Sequence, residues 1–480
     1  MKQQIIKINL PGGFISAGDL YEILAIAESA GAEYIRFGNR QQLYFGINET
    51  CLEDLELDML KAEINYEISA DLHPNIISSY VADTIFNHEG WLREGVYKDI
   101  LDMFDHRPRL KVNLIDNQQT FVPFFSGNIN FIASNTNNYW YLYIRFPKTG
   151  KLCCCPSLVY SDDIPVIAKI AEEIILQNKA LFYDRNDVDE KLFYKMLLKK
   201  SGAMLQPVTE ELKLPDFYLP YYEGFNKYNN KYWLGIYRRD ELFLLDFLKE
   251  ACQLCLKSRI GQIYSTPWKS IIIKGIEPAD RNQWGIILSK YRLNVRHAAN
   301  ELNWQIEDIC NEGLALKKQL VREFEEADLR TYQLCFAIKM QPKTGLTGSV
   351  IIKKDKNTLF DILHTRDFNP NSKDYVTYLQ EIAPSELSTH LIRLCAEFYT
   401  IQSNSVSPVA VSEETTPLHQ EKEVYQCNNC LTRYDKVYGD CVNNIEKDAD
   451  FENLSEYLCP VCEATKSEFS LVGSINEHLT

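Results

Sequence analysis

The sequence predicts an α+β protein in which one arrangement of helices and strands is built twice and is followed by a small metal-binding module. Residues 9–47 and 233–276 share one order of elements: an extended entry, an amphipathic helix, a strand, a turn and an apolar strand ending in Gly-Ile. Five of the 14 cysteines crowd between Cys427 and Cys462. The repeat predicts two related halves that pack together, and the crowding predicts metal binding rather than disulfides.

Hydrophobic periodicity gives the individual elements of both halves. Ile35 corresponds to Ile263 at an offset of 228 residues. In the first half we predict helices at Asp19–Ala30 and Ile164–Leu176, and strands at Leu110–Leu114, Ile129–Ala133 and Trp140–Phe146. In the second half we predict helices at Arg239–Ser258 and around Trp304–Glu326, and strands at Tyr332–Met340 and Ser349–Lys353.

The clearest boundary in the chain is residues 402–423. This segment is rich in Ser, Thr, Pro and Glu, and it has no aromatic residue and no sustained apolar period. It cannot bury enough apolar surface to offset the entropy lost on ordering, so we predict a flexible linker between a large body and the module at residues 424–472.

Bulk composition excludes several functional classes. The net charge of −15 disfavours nucleic acid and anionic membrane surfaces as partners. No apolar run approaches the roughly 20 residues needed to span a bilayer, and the N-terminus lacks the apolar region of a signal peptide. We therefore expect a soluble cytoplasmic protein with no nucleic-acid and no membrane partner.

The cysteine spacing of the module predicts one tetrahedral S4 site. Cys-x2-Cys is followed after 28 residues by Cys-Pro-x-Cys, and each pair can curl so that both thiolates face one point. The predicted ligands are Cys427, Cys430, Cys459 and Cys462. Spacing alone fits a structural zinc ribbon as well as an iron site.

The residues between the two pairs favour iron. Over about 45 residues the module resembles rubredoxin in its aromatic residues, its Tyr-Asp and Gly-Asp pairs and its Cys-Pro-x-Cys motif. The matching positions are Tyr425, Tyr434, Asp435, Gly439, Asp440, Phe451, Leu454, Tyr457, Pro460, Lys466 and Phe469. The resemblance implies one Fe(2+/3+) ion that carries single electrons. Leu431 and Glu463 depart from the family, which usually has glycine after each cysteine pair, and this predicts strain or a changed potential.

The body resembles a second family. Leu10-Pro11-Gly12-Gly13, the following helix and the Arg-x-x-Asn-Arg-Gln pattern of residues 36–41 resemble the ferredoxin-like half-domain of assimilatory nitrite and sulfite reductases. Those enzymes contain two such halves, each followed by an α/β sandwich domain. The resemblance implies half-domains at 1–60 and 225–285 and sandwich domains at 61–200 and 286–400.

The same resemblance implies a residual sirohaem or anion site. In that family the arginine corresponding to Arg40 faces an anionic substrate on sirohaem, and a basic segment like residues 107–111 adds charge. The implied cofactor-binding residues are Arg36, Arg40, Arg109 and Lys111. Isolated arginines more often lie at the surface or in ion pairs.

The body lacks the family's cysteines. No Cys-x5-Cys and no Cys-x3-Cys precedes the linker, and by rough alignment Trp304, Gln341 and Gly345 stand where three thiolates are needed, with Cys310 at the fourth position. One thiolate cannot hold a [4Fe–4S] cluster, so we predict that the cluster is absent. Retained sirohaem stays an alternative.

The leading hypothesis is a one-electron carrier attached to a degenerate reductase-like body. Its expected donor is a flavoprotein reductase, and its expected acceptor is a terminal oxidoreductase. The alternatives are an active sirohaem-type nitrite or sulfite reductase that is fed by its own rubredoxin domain, and a non-redox scaffold whose module holds zinc.

Overall fold

The computed structural model describes residues 3–86, 90–149, 151–185, 187–203, 205–341, 345–356, 358–405, 424–436, 438–440 and 442–472. The chain divides into two compact units, residues 1–403 and 404–480, which are described separately below. Within the described ranges, no helix is both long enough and apolar enough to cross a membrane.

The described residues contain eleven α-helices: α1 (Ala17–Ser29), α2 (Leu52–Lys61), α3 (Glu94–Asp102), α4 (Ile164–Gln177), α5 (Lys179–Phe182), α6 (Glu190–Ser201), α7 (Leu245–Lys257), α8 (Arg281–Lys290), α9 (Ala299–Leu302), α10 (Asn311–Glu326) and α11 (Leu387–Ser405). Short 3-10 helices lie at Pro11–Gly13, Glu49–Cys51, Tyr80–Ala82, Ser161–Asp163, Pro278–Asp280, Pro384–Glu386, Phe451–Asn453 and Lys466–Glu468. Because α11 runs to Ser405, the predicted linker begins within a helix, and its remainder, 406–423, lies outside the described residues.

The strands of the body are β1 (Gln3–Ile8), β2 (Phe14–Ser16), β3 (Tyr34–Phe37), β4 (Leu43–Asn48), β5 (Glu67–Ile68), β6 (Ile77–Ser78), β7 (Val112–Ile115), β8 (Ile129–Ala133), β9 (Tyr139–Arg145), β10 (Leu152–Tyr160), β11 (Gln206–Pro207), β12 (Gly224–Tyr228), β13 (Lys231–Ile236), β14 (Phe243–Leu244), β15 (Gln262–Ser265), β16 (Ile271–Ile276), β17 (Trp304–Ile306), β18 (Phe336–Lys339), β19 (Val350–Lys354), β20 (Phe360–Thr365) and β21 (Tyr375–Ile382). The second unit adds β22 (Val424–Cys427), β23 (Arg433–Asp435) and β24 (Phe469–Leu471).

Two five-stranded sheets form the repeated half-domains, and each contains one strand from the other half. The first sheet has the order β14-β3-β4-β1-β5, and the second has the order β12-β13-β16-β15-β2. Thus β14 of the second half lies beside β3, and β2 of the first half lies beside β15. Helices α1 and α7 pack together over one core, which includes Leu24, Leu248 and Cys252.

Two larger sheets repeat a second pattern. In β11-β10-β9-β8-β7-β6, strands β6, β7 and β8 are parallel and β9 and β10 are antiparallel. In β17-β18-β19-β20-β21, the first three strands are again parallel and the last two antiparallel. Helix α4 follows the first series and α11 the second. The predicted α+β architecture, built twice, is confirmed.

Two predicted helices begin later than the sequence indicated. Residues 243–244 form β14, and α7 starts only at Leu245, because Phe243 and Leu244 are paired with Ile35 and Tyr34. The helix predicted around Trp304–Glu326 is likewise wrong at its start. Trp304–Ile306 is a parallel strand beside β18, and α10 begins after Cys310, whose sulfur accepts the Gly313 N–H.

The second unit is a three-stranded sheet, β23-β22-β24, over a small aromatic core. Tyr425, Tyr434, Phe451 and Tyr457 are buried, and the partly buried Phe469 packs against them. Phe451 lies at the centre, with ring-centroid distances of 4.3 Å to Tyr425 and 5.1 Å to both Tyr434 and Tyr457.

Candidate metal centre and the cavity of the body

Four cysteines of the second unit meet at one point. The sulfur atoms of Cys427, Cys430, Cys459 and Cys462 all lie within 4.8 Å of one another. Cys427 is 3.5 Å from Cys462, and Cys430 is 3.4 Å from Cys459, between sulfurs. Tetrahedral ligands at a metal–sulfur distance near 2.3 Å stand about 3.8 Å apart, so the four sulfurs fit one ion of that kind. The structure therefore brings all four predicted ligands together.

The two cysteine pairs have the same backbone geometry. The Leu431 N–H donates to the Cys427 carbonyl and the Glu463 N–H to the Cys459 carbonyl, both at 2.9 Å. Leu431 has φ +63° and Glu463 has φ +62°, a left-handed conformation that favours glycine. Both departures from glycine thus lie at positions whose backbone conformation favours glycine.

The site has a buried side and an open side. Cys427 and Cys459 are buried, Cys430 is partly exposed and Cys462 is exposed. The open side carries two exposed apolar side chains next to the ligands, Leu431 and Val461. Of the four ligands, Cys430 and Cys462 are therefore the two that are accessible from outside the module.

Hydrogen bonds fix the loop that covers the aromatic core. The Tyr457 hydroxyl donates to Asp440 Oδ2 at 2.9 Å, and the backbone N–H of Val442 donates to Asp440 Oδ1 at 2.9 Å. Burial, together with this carboxylate, raises the pKa of Tyr457 well above its ordinary value. The phenol therefore stays protonated and holds the loop closed.

In the body, two of the four predicted basic residues share a cavity. A cavity of about 190 Å³ contains the side chains of Arg40 and Lys111. Burial lowers the pKa of Arg40 to about 10. Burial and then the charge of Arg40 lower the pKa of Lys111 to about 8. Asp71 and Asp308 line the same cavity and raise both pKa values, but they offset only part of the lowering that burial causes.

The other two predicted residues lie elsewhere. Arg36 reaches Asn311 at 3.5 Å and Glu241 at 3.9 Å, outside the residues that line the cavity. The side chain of Arg109 is exposed, and its backbone N–H donates to Glu172. The basic segment thus contributes Lys111 but not Arg109 to the cavity.

The Asn-Arg-Gln turn joins several parts of the body. Asn39 donates to the Ile306 carbonyl at 2.5 Å, and Gln41 donates to the Ser265 carbonyl at 3.0 Å. Arg40 donates to the Asn75 carbonyl at 2.7 Å, to the Val112 carbonyl at 3.0 Å and to Asn113 Oδ1 at 3.2 Å. The neighbouring Pro-Gly-Gly turn needs glycine, because a Cβ on Gly13 would lie 2.3 Å from the Gln41 side chain.

The residues that align with the four cluster-binding cysteines of the reductase family make other contacts in this structure. Trp304 stacks on Phe336 with a centroid distance of 4.6 Å in a buried core. The Cys310 sulfur caps α10. Gly345 lines the cavity, and a Cβ there would lie 3.1 Å from Lys111 Nζ.

Sequence reasoning missed three further cations. Arg145, Lys339 and Lys373 come from β9, β18 and the approach to β21, and burial lowers the pKa of each one. The Arg145 guanidinium donates to the Ser126 carbonyl at 3.1 Å, and Ser126 lines the cavity. Single basic residues inside strands carry no periodic signal, so only the packing of the sheets reveals them.

Comparison with known proteins agrees with both parts of the structure. Residues 424–469 match the family model for Rubredoxin, and residues 2–61 match the model for the Nitrite/Sulfite reductase ferredoxin-like half domain. The solved structure of the NirA protein of Mycobacterium tuberculosis matches with a TM-score of 0.64 and 13% identity, covering 83% of this chain and 81% of that chain. At this identity the likeness shows the fold alone. The chain therefore joins a body, similar in fold to NirA and matching the half-domain model at its N-terminal end, to a C-terminal domain that matches the Rubredoxin model.

Proposed function

We propose that this protein is a one-electron carrier whose iron is bound by Cys427, Cys430, Cys459 and Cys462. The convergence of the four sulfurs is the observation that carries the proposal. Iron in such a site supplies a single ferric/ferrous couple. The aromatic core beside the ligands keeps water away from the buried side, and low dielectric surroundings tune the potential of a thiolate-bound metal.

The open side of the site supports exchange with a separate protein. Cys462 is exposed, and Leu431 and Val461 offer a small apolar contact beside it. The described module also has an excess of acidic over basic side chains, which favours a partner with a basic surface. The proposed donor is a flavoprotein reductase, and the proposed acceptor is a terminal oxidoreductase.

In this proposal the body is not a catalyst. Its cavity of about 190 Å³ is smaller than the roughly 300 Å³ at which pockets for drug-sized ligands begin, and a tetrapyrrole is larger still. Trp304 serves packing and Cys310 serves a helix cap. The linker between body and module would raise the local concentration of the carrier near whatever the body binds.

The deciding experiment is an absorption spectrum of the purified full-length protein, with iron, zinc and acid-labile sulfide measured on the same sample. We expect one iron per chain, no sulfide and a red colour that dithionite bleaches. Cys459→Ala should lose the colour, whereas Cys154→Ala, at an exposed cysteine of the body, should keep it. Zinc in the site after expression with ample iron, or inorganic sulfide in the sample, contradicts the proposal.

One observation favours a second function. Arg40 and Lys111 share a cavity, and Arg40 Nε is buried without a hydrogen-bond partner among the described residues. An anion bound there is what a sirohaem-type nitrite or sulfite reductase fed by its own rubredoxin would require. A Soret-type absorption band together with turnover of nitrite or sulfite would establish this function.

A further inference from the structure

We propose that strand β21 is an interface at which two copies of this chain pair their sheets. Strand β21 lies at one end of the sheet β17-β18-β19-β20-β21, and among the described residues only β20 is paired with it. Its other edge therefore presents backbone N–H and C=O groups that no strand of the described chain binds. The inference concerns residues 374–382, and it does not depend on the metal centre or on the function of the body.

The length of β21 distinguishes it from the other edge strands of the body. Strand β21 has eight residues, whereas the other strands at sheet edges have two to five within the described ranges. Those strands are β2, β5, β6, β11, β12, β14 and β17. Short edge strands are one of the means by which proteins avoid pairing with other chains, and β21 does not use it.

In the first half of the body, a strand covers the equivalent edge. Strands β10 and β21 are each the second antiparallel strand after three parallel ones, and each is followed by a 3-10 helix and then by α4 or α11. Strand β11 pairs with β10 at Ser157 and Leu158, and the Val208 N–H donates to the Pro156 carbonyl at 3.0 Å. No described residue takes this place beside β21. The repeat thus indicates that a strand fits at this position of the fold.

Strand β21 has an irregular register with its neighbour, as β10 has. Bulges can protect an edge by twisting it, and the register of β21 with β20 shifts twice beyond Thr377. The register of β10 with β9 also shifts, between Cys154 and Leu158, yet β11 pairs with β10 at Leu158. An irregular register on one side of a strand is therefore compatible with pairing on the other side.

The side chains of β21 lack the usual protection of a long exposed edge. Residues 375–380 read Tyr-Val-Thr-Tyr-Leu-Gln, with no charged residue, no proline and no glycine. Thr377 and Gln380 are exposed, and the other four residues are partly exposed. Charged side chains and prolines commonly keep such an edge unpaired, and both are missing here. Uncharged segments rich in aromatic and β-branched residues are instead prone to pair with a further strand.

The same segment is compatible with antiparallel pairing to a second copy of itself. Pairing about Thr377 places Tyr375 opposite Leu379 and Val376 opposite Tyr378. Cross-strand pairs of aromatic, aliphatic and β-branched side chains stabilise a sheet. The two copies are then related by a twofold axis, which is the commonest symmetry of protein dimers.

The distribution of charge permits this pairing. Each copy carries a net charge of −15, so two copies repel each other wherever acidic surfaces meet. Residues 375–380 are neutral, and the flanking carboxylates of Asp374 and Glu381 do not lie opposite each other in this register. Asp374 is also paired with Arg366 at 2.8 Å. The edge of β21 is therefore a place at which two acidic copies can approach.

Sedimentation analysis of the full-length protein tests the proposal. Because so short a contact buries little surface, we expect a weak dimer, whose mass rises from 55.6 kDa toward twice that value between about 5 and 200 µM. Thr377→Lys and Thr377→Glu each place like charges opposite each other, and each should weaken dimerisation roughly fivefold or more. A mixture of the two variants places opposite charges there, and it should dimerise within about twofold of the unmodified protein.

Two controls separate strand pairing from general effects of substitution. Thr136→Lys, at an exposed threonine between β8 and β9, should dimerise like the unmodified protein. Amide hydrogen exchange of the unmodified protein should slow at residues 375–380 as its concentration rises, which misfolding of a variant cannot imitate. The proposal is overturned if the unmodified protein stays monomeric at about 200 µM, if the mixture of Thr377→Lys and Thr377→Glu does so, or if exchange at residues 375–380 is independent of concentration.

Discussion

Ile35 is paired with Phe243 across two antiparallel strands from opposite halves of the body. The two halves are offset by 228 residues, so Ile35 corresponds to Ile263 and Phe243 corresponds to Ile15. Ile263 and Ile15 are paired in the second sheet. The exchange of strands is thus reciprocal, and each half-domain is completed by two or three residues of its counterpart. Neither sheet can be complete without both halves, so the halves should unfold together.

Phe243→Ala tests this coupling. Phe243 is fully buried and its ring meets Phe37 edge-on at 5.1 Å, so truncation should cost about 3–5 kcal/mol. We expect the whole body to lose stability in one transition, measured by chemical denaturation followed by tryptophan fluorescence. Ile286→Ala, at a residue that is 67% exposed, should change stability by less than about 0.5 kcal/mol. Two separate transitions in Phe243→Ala would contradict coupling of the halves.

Phe451→Ala should unfold the metal-binding module. The Phe451 ring contacts Tyr425, Tyr434, Tyr457 and Phe469, and its loss should cost about 3–5 kcal/mol, which is comparable to the whole stability of a domain this small. Loss of metal from the full-length protein, measured by elemental analysis after gel filtration, is the expected result. Tyr438→Ala, at a side chain that is 76% exposed, serves as the control and should retain the metal.

Glycine at position 431 or 463 should stabilise the module. Leu431 and Glu463 have positive φ, which costs a residue with a Cβ roughly 1–2 kcal/mol. Glycine avoids this cost, but its greater loss of conformational entropy on folding destabilises the native state by about 0.5–1 kcal/mol. Leu431→Gly and Glu463→Gly should each gain about 0.5–1 kcal/mol, read from the denaturant midpoint of the metal-loaded protein. Ser470→Gly, in strand β24, should instead lose stability by a similar amount. Equal losses in all three variants would show that the positive φ values carry no strain.

Lys111→Met should alter how stability depends on pH. The pKa of Lys111 falls from 10.5 to about 8, so between these values the unfolded chain binds more protons than the native one. The free energy of unfolding of the unmodified protein therefore rises with pH through that interval. The variant removes this buried cation, so it should be more stable below pH 8, by about 1–3 kcal/mol, and the advantage should vanish near pH 10.5.

The control for this comparison is an exposed lysine. Lys61 lies on the surface of α2. The free energy of unfolding of Lys61→Met should therefore differ from that of the unmodified protein by the same amount at every pH. Denaturation midpoints at pH 7, 8, 9 and 10 give both difference curves. A constant difference between Lys111→Met and the unmodified protein would mean that Lys111 titrates normally in the folded body.

The sequence was sufficient where residue identity alone determines geometry. Two Cys-x2-Cys pairs can bring four sulfurs to one point with little help from the rest of the chain, so the ligand set could be read directly. The repeat was also visible, because Ile35 and Ile263 occupy equivalent strands. Both features depend on local spacing.

The sequence was insufficient where distant segments decide the outcome. The local pattern predicts a helix at Phe243 and Leu244. These two residues form a strand because they pair with Ile35 and Tyr34 at the edge of the first sheet. Trp304 likewise joins a strand because Phe336 lies beside it. Arg109 resembles a site residue in its local context, yet its side chain points to solvent while its neighbour Lys111 enters the cavity.

The bonds made by Asn39, Arg40 and Gln41 bear on how such proteins are recognised. The side chains of Asn39 and Gln41, and two of the three guanidinium nitrogens of Arg40, bond to carbonyl or amide oxygens of remote segments and so hold those segments together. A chain with this fold needs these bonds whether or not it catalyses a reaction. Their presence in a newly sequenced protein therefore reports descent and architecture, and searches for working reductases should rank candidates by their thiolate ligands instead.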